Sequence, residues 1–186
     1  MGQEKEYFTA FYDLAKVINA SLEPERVFSE ITRCVAEAMG VKACSLRLLD
    51  SRREKLLWAA AYGLSEGYIR KGAVVVKESG LDRKALLGSS VYLGNAQTDA
   101  DFQYKDQARA EGIKSVLVVP LMLEDRAIGV MRVYTGKVRK FNQQEVKFLE
   151  SAANLSAIAI ENTRLHQRLR TDFDLALEHL HRLDDN

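Results

Sequence analysis

Apolar residues recur along this chain first at helical spacing, then at alternate positions, then at helical spacing again. Phe8, Phe11, Leu14, Ala15, Val17 and Ile18 fall at intervals of three and four, which predicts an amphipathic N-terminal helix. A second helix is more fully marked: Pro24 suits a first turn, Val27, Ile31, Cys34, Val35 and Ala38 form its stripe, and Gly40 supplies the stop. The period then drops to two. In ACSLRLLD, residues 43–50, Cys44, Leu46 and Leu48 alternate with Ser45, Arg47 and Leu49, predicting a strand with one more polar face. Residues 51–54 read as a turn and 55–62 as the partner strand of a hairpin. Gly63, Gly67 and Gly72 break up the next stretch. It yields a brief strand over 74–76, a short helix over 81–87 and a short strand over 91–93. NAQTDADFQY, residues 95–104, has the Asn, Asp and Thr density of a loop, and 105–111 suit a helical turn or two before Gly112.

The stretch GIKSVLVVPLMLEDRAIGVMRVY, residues 112–134, places two β-rich runs around a polar turn expected over residues 124–127. A helical pattern follows almost to the end. Asn142 is an N-cap candidate with Glu145 at capping-box spacing, and Val146, Leu149, Ala153 and Ile160 begin an apolar stripe. A helix from about residue 142 to 183 extends on the order of 60 Å at 1.5 Å per residue, overshooting a small domain. Beyond Asn162 the stripe continues through Leu165, Leu169, Phe173, Leu177, Leu180 and Leu183, at the 3.6 spacing of a single helix rather than a strict heptad. Such a face wants a partner helix, and the N-terminal aromatic stripe is the obvious one, within the chain or across a homodimer.

Composition narrows the class. With 186 residues and 47% hydrophobic content, one core of ordinary size plus helical extensions is expected. Lys and Arg total 27 against 26 Asp and Glu, so no bulk attraction toward nucleic acid or anionic membrane is implied. The longest apolar run, residues 116–123, is far below the roughly 18–20 residues that span a bilayer. The acidic start MGQEKEYF does not read as a secretory signal, and Gly2 is followed by no myristoylation pattern. Two cysteines, Cys34 and Cys44, make no disulfide framework, so a cytoplasmic location and no membrane or nucleic-acid partner are the expectation.

The order of elements and the residues themselves resemble the GAF domain family of small-molecule sensors. The hairpin has that family's Gly-Ile-x-Ser, Val-Pro-Leu and Ile-Gly-Val wording. ACSLRLLD looks like its first strand, AAAYGL like the end of its second, NAQTDADFQY like its Asp-x-x-Phe/Tyr loop, and FNQQEVKFLESAANLSAIAIENTRL like its closing helix. The resemblance implies an α+β fold: a central antiparallel sheet of about six strands, terminal helices packed on one face, and loops and short helices over a pocket on the other. It implies a sensor domain over residues 21–162, an amphipathic helix over 1–20 before it, and a signalling or dimerisation helix over 163–186 after it. Neither a cofactor nor a metal is expected. Residues 95–114 lack the cysteine of bilin-binding members, and His166, His179 and His181 all lie in the last helix, away from where haem-binding members need one. The cyclic-nucleotide signature of the family cannot be traced beyond isolated letters.

If Cys44, Leu46 and Leu48 face the helices, Ser45 and Arg47 face the pocket, and Ile128, Val130, Arg132 and Tyr134 share one face of the last strand. Ser45, Tyr62 and Arg132 also match positions that meet ligand in GAF relatives. Arg47 and Arg132 would form a cationic floor for a carboxylate or phosphate, Phe102 and Tyr104 would be lid aromatics, and Ser115 would donate a hydrogen bond. The competing reading has solvated arginines, aromatics as core plugs, Trp58 as packing, and Asp99 and Asp101 as turn-capping residues. Three functions follow. The first is a non-catalytic sensor that binds a small, anionic ligand and relays its state through the terminal helices to an output domain or partner signalling protein. The second is a ligand-free dimerisation module. The third is a cysteine-dependent methionine sulfoxide reductase of the kind some GAF relatives are, although Cys34 on a helix stripe and Cys44 facing the core do not look like accessible thiolates. Serine-hydrolase chemistry finds no Gly-x-Ser-x-Gly and no sheet-side histidine. The tail LEHLHRLDDN lacks the pattern of a kinase phosphoacceptor helix.

Overall fold

Strand alternation sorts side chains onto two faces, and this molecule buries both. A computed structural model of the protein describes the backbone of residues 2–20 and 23–184, with side chains over 6–19 and 23–176. Leu177, His179, Leu180, His181 and Leu183 therefore lie outside the described side chains. Six strands form one antiparallel sheet in the spatial order β3 (Val74–Val75), β2 (Lys55–Tyr62), β1 (Ala43–Leu49), β6 (Arg126–Tyr134), β5 (Val116–Leu123) and β4 (Val91–Leu93). The expected hairpin thus supplies one central strand, β6, beside the other, β1.

Three helices cover one face: α1 (Gly2–Ala20), α2 (Pro24–Ala38) and α6 (Gln143–Asp184). Val27, Ile31 and Val35 of α2 meet Cys44, Leu46, Met131 and Val133 of the sheet and Leu149, Ala153 and Ile160 of α6 in one core. Small alanines on α6 let that helix lie close to β5 and β6. α1 differs from its predicted stripe. Among its described side chains Tyr7 and Leu14 are the buried ones, Tyr7 stacking on Phe148 at 4.6 Å, while Phe8 and Phe11 point outward. One aromatic seated on α6 sets the rotation of α1, and its neighbours on the stripe turn away. The capping box forms as read: Glu145 N donates to Asn142 Oδ1 at 2.9 Å and Asn142 N to Glu145 Oε2 at 2.8 Å. Among the described side chains of α6 the last buried one is Thr163, and every side chain from Leu165 to residue 176 is exposed.

The second face is covered by α3 (Glu66–Ile69), α4 (Gly80–Ala85), α5 (Lys105–Glu111) and their loops, over a separate core that includes Leu56, Tyr68, Leu81, Phe102, Val130 and Tyr134. Two irregularities decide which side chains arrive there. Leu46 pairs with Ala60 but Arg47 with Trp58, so Ala59 is an extra residue that flips the second half of β2. Leu121 pairs with Gly129 but Met122 with Ala127, which leaves Ile128 as a second extra residue. Ile128 consequently joins the helical-side core instead of sharing a face with Val130, Arg132 and Tyr134. The β5–β6 turn is also tighter than expected. Leu123 pairs with Arg126, leaving only Glu124 and Asp125 between the strands, with Glu124 in the left-handed region at φ 53°. Gly129 has a packing reason: a Cβ there would lie 2.2 Å from the Arg47 carbonyl oxygen.

Candidate functional site

Against the second face of the sheet lies a closed cluster of charged and aromatic side chains. Arg47 projects from β1 onto this face by strand alternation and is fully buried. Its guanidinium lies 3.4 Å from the centre of the Trp58 ring, and Nη1 donates to the Leu56 carbonyl at 3.3 Å. Nε and Nη2 make no hydrogen bond to the described residues. Burial, and next the charge of Arg132, pull its pKa down to about 10.

Arg132, two strand positions from Tyr134 on β6, has found a partner that the sequence reading did not name. Its Nε donates to Asp82 Oδ1 at 2.9 Å and its Nη2 to Asp82 Oδ2, and both residues are buried. Burial opposes the arginine's charge, but Asp82 outweighs it and holds the guanidinium above its usual value. Asp82 is fixed in turn by Ser79, the N-cap of α4, whose Oγ donates to Oδ2 at 2.5 Å. The Ser79-x-x-Asp82 spacing is a helix-start signal, and it was the only hint of this carboxylate in the sequence.

Lys71 completes the cluster from the segment between α3 and β3. Its Nζ lies 4.5 Å from the Tyr68 ring centre, 4.3 Å from that of Tyr104 and 5.2 Å from that of Trp58. The Nζ is buried and hydrogen-bonds to none of the described residues. Burial first, then Arg47 and Arg132, lower its pKa to about 6. Nothing in the sequence marked this lysine, since it sits in a loop whose path no periodicity predicts. Trp58 Nε1 and Tyr68 Oη are likewise buried donors without partners among the described residues, and burial pushes the Tyr68 phenol up. Among the described residues three basic side chains here face one carboxylate, and that carboxylate is committed to Arg132.

The remaining expected residues divide. Ser45 lies at the cluster's edge, its hydroxyl 2.9 Å from Tyr134 Oη, and Tyr134 packs edge-on against Tyr68. Tyr104 does roof the cluster, its Oη donating to the Ala73 carbonyl at 2.8 Å and tying the 95–104 loop to the Lys71 segment. Phe102 is a buried member of the second core. Ser115 is buried, but its hydroxyl donates to the Gly94 carbonyl at 2.8 Å and accepts from Arg139 N at 3.0 Å, so it braces loops. Tyr62 is a correction. The extra residue at Ala59 pairs it with Cys44 and turns it to the helical side, where its hydroxyl reaches Glu37 Oε1 at 3.4 Å. Trp58, read as packing, is the aromatic floor under Arg47. Asp99 caps a turn, accepting from Asp101 N at 2.9 Å, and Asp101 pairs with Lys84.

Cys44 is fully buried on the helical face, where burial pushes its thiol up, and Cys34 on α2 is shifted the same way for the same reason. Open clefts lie between α1 and α2, beside Ala10, Asp13 and Cys34, and between α1 and α6, beside Phe8 and Phe148. They are on the opposite side of the sheet from the buried charges.

Residues 21–161 match the GAF domain family. The chain is 27% identical over 143 residues to a methyl sulfide methyltransferase-associated sensor of Methanosarcina acetivorans, a match covering 70% of this chain and 14% of that much longer protein. Among solved structures, the GAF domain of a phosphoenolpyruvate-protein phosphotransferase from Coxiella burnetii superposes with a TM-score of 0.79 at 17% identity, over 88% of this chain and 98% of that one. A free methionine-R-sulfoxide reductase from Neisseria meningitidis, in complex with its substrate, superposes at 0.71 with 18% identity, over 86% and 91% of the two chains. At these identities the likenesses show the fold.

Proposed function

The chain belongs to the GAF domain family, and from that premise we propose that it is a non-catalytic sensor domain of a signalling protein whose ligand is a small anion received between Arg47 and Lys71. One observation carries this reading: two buried basic side chains, with Arg47 Nε and Nη2 and Lys71 Nζ unsatisfied among the described residues, surrounded by further donors on Trp58 and Tyr68 that have no partner there. A buried polar group without a partner costs free energy, and an unpaired buried charge costs more. A fold that keeps five such atoms in one cluster has a use for them, and an oxyanion is the kind of acceptor they suit. Arg132 is a structural member of this site rather than its floor, because Asp82 already occupies its fork.

The ligand enters by displacing the roof formed by the 95–104 loop and the Lys71 segment. Glycines on either side of α3 and Lys71, Gly63 at φ 75° and Gly72 at φ 98°, adopt backbone turns that other residues resist. The resulting shift cannot exceed the ligand's differential affinity for the open and closed states. Output runs through α6, which packs on β5 and β6 and continues past the domain as an exposed apolar stripe of Leu165, Leu169 and Phe173. A second copy pairing along α6 and the outward aromatics Phe8 and Phe11 of α1 is the partner those faces suit. The reductase reading finds no support in the thiols, which sit on the helical side of the sheet.

Thermal denaturation with a panel of small anions tests the reading. A bound anion at 100 times its Kd adds about 2.7 kcal/mol to the wild type, and Arg47→Met abolishes that gain. Equal stabilisation of both proteins by every anion would remove Arg47 from the site.

A further inference from the structure

The charge inventory of the cluster says more about the ligand than its sign. Arg47 comes from β1, Arg132 from β6, Lys71 from the α3–β3 segment and Asp82 from α4; the phenols facing them are Tyr68 of α3, Tyr104 of the loop and Tyr134 of β6. Glu111 of α5 acts on Tyr68, but it is engaged by Ser65 and Lys42. Asp82 neutralises Arg132 through both of its carboxylate oxygens. Arg47 and the ammonium form of Lys71 are left without a counter-charge. A single negative charge on Arg47 leaves the Lys71 amine neutral, whereas a second negative charge has the ammonium form of Lys71 as its partner.

We propose that the ligand is a small oxyanion carrying two negative charges, shared between the free Nε and Nη2 edge of Arg47 and the ammonium of Lys71. This rests on the anion-sensor reading above and adds the ligand's charge state and a linked proton. In the closed cluster the Lys71 amine, ringed by Tyr68, Tyr104 and Trp58 and close to two guanidinium groups, is held mainly neutral near pH 7. A dianion beside it restores the ordinary preference for the ammonium, so each binding event takes one proton from solution. Written in full, the amine lone pair accepts a proton from buffer as the dianion seats; no bond to the ligand forms or breaks. Because the bound state holds the extra proton, affinity falls as pH rises above the value at which free Lys71 loses its charge. Two kinds of ligand share this chemistry, a compact dicarboxylate and a tetrahedral dianion of the sulfate or phosphate type. Malonate and sulfate serve as their respective probes.

Isothermal titration of the full chain, in zwitterionic buffers of different ionisation enthalpy, tests the proposal. Malonate or sulfate is expected to bind at least about tenfold more tightly than acetate or formate, with close to one proton taken up, and to weaken by roughly tenfold per pH unit above neutrality. Whichever probe binds more tightly identifies the ligand type. Lys71→Met removes the proton uptake and the preference for two charges while retaining binding of monoanions to Arg47. Acetate binding as tightly as both dianions, or dianion binding with no proton exchanged, would overturn the proposal and leave the anion-sensor reading standing. Absence of heat with all four anions would take down both.

Discussion

At the scale of single residues, the molecule spends stability on its second core. Lys71 is the clearest case. Unfolded, its pKa lies near the ordinary 10.5 and folded it drops to about 6, so between those values the unfolded chain binds more protons and stability rises with pH. Lys71→Met is expected to stabilise the ligand-free protein at pH ~7 by about 1–4 kcal/mol and to flatten that rise, as read by urea denaturation across the pH window. A stability curve of unchanged slope would show that the amine is not buried as described. Asp82 works the other way. Replacing it by Asn leaves Arg132 buried and unpaired and is expected to cost about 3–5 kcal/mol by the same denaturation assay. The opposite signs separate a group held for a ligand from one held for the fold.

At the scale of elements, the sheet converts a one-residue irregularity into a change of face. Alternation placed Ser45, Arg47, Arg132 and Tyr134 on the correct side because β1 and the outer half of β6 run without interruption. It misplaced Tyr62 and Ile128 because Ala59 and Ile128 are bulge residues, and no local pattern in AAAY or RAIG distinguishes a bulge from a regular strand. Lys71 and Asp82 escaped notice for another reason: their partners lie on strands far away in sequence, and loop paths carry no periodic signal. Short-range chemistry was legible, as the capping box at Asn142 and Glu145 and the stop at Gly40 show. Two predictions belong here. Asn142→Ala removes the cap of α6 and costs about 0.5–2 kcal/mol by thermal or urea denaturation. Gly129→Val drives a side chain into the Arg47 carbonyl across β1 and β6, and an altered near-ultraviolet dichroism of Trp58 is its expected signature. An unchanged spectrum with unchanged stability would mean that the two central strands tolerate separation there.

At the scale of the whole molecule, the sheet divides the protein into a helical side with exposed apolar residues such as Phe8, Leu165 and Phe173 and a second side whose buried charges are closed off. α1, α2 and α6 form a continuous layer, yet among the side chains described, up to residue 176, the last that α6 buries is Thr163, while the helix itself runs on to Asp184. The long last helix was readable from its stripe, whereas the point where it leaves the domain depended on tertiary packing. Truncation after Thr163 is therefore expected to preserve the melting temperature of the domain while converting a dimer to a monomer, measured by light scattering. Identical masses for the full and truncated chains would place the pairing surface elsewhere. The central claim is that the buried cations of the closed side are the receptor. A crystal structure of the protein grown with malonate addresses it most directly: the account predicts malonate on the Nε and Nη2 edge of Arg47 with Lys71 beside it and the Asp82–Arg132 pair intact. Malonate found only on the outer surface, with Lys71 still ringed by Tyr68, Tyr104 and Trp58, would contradict it.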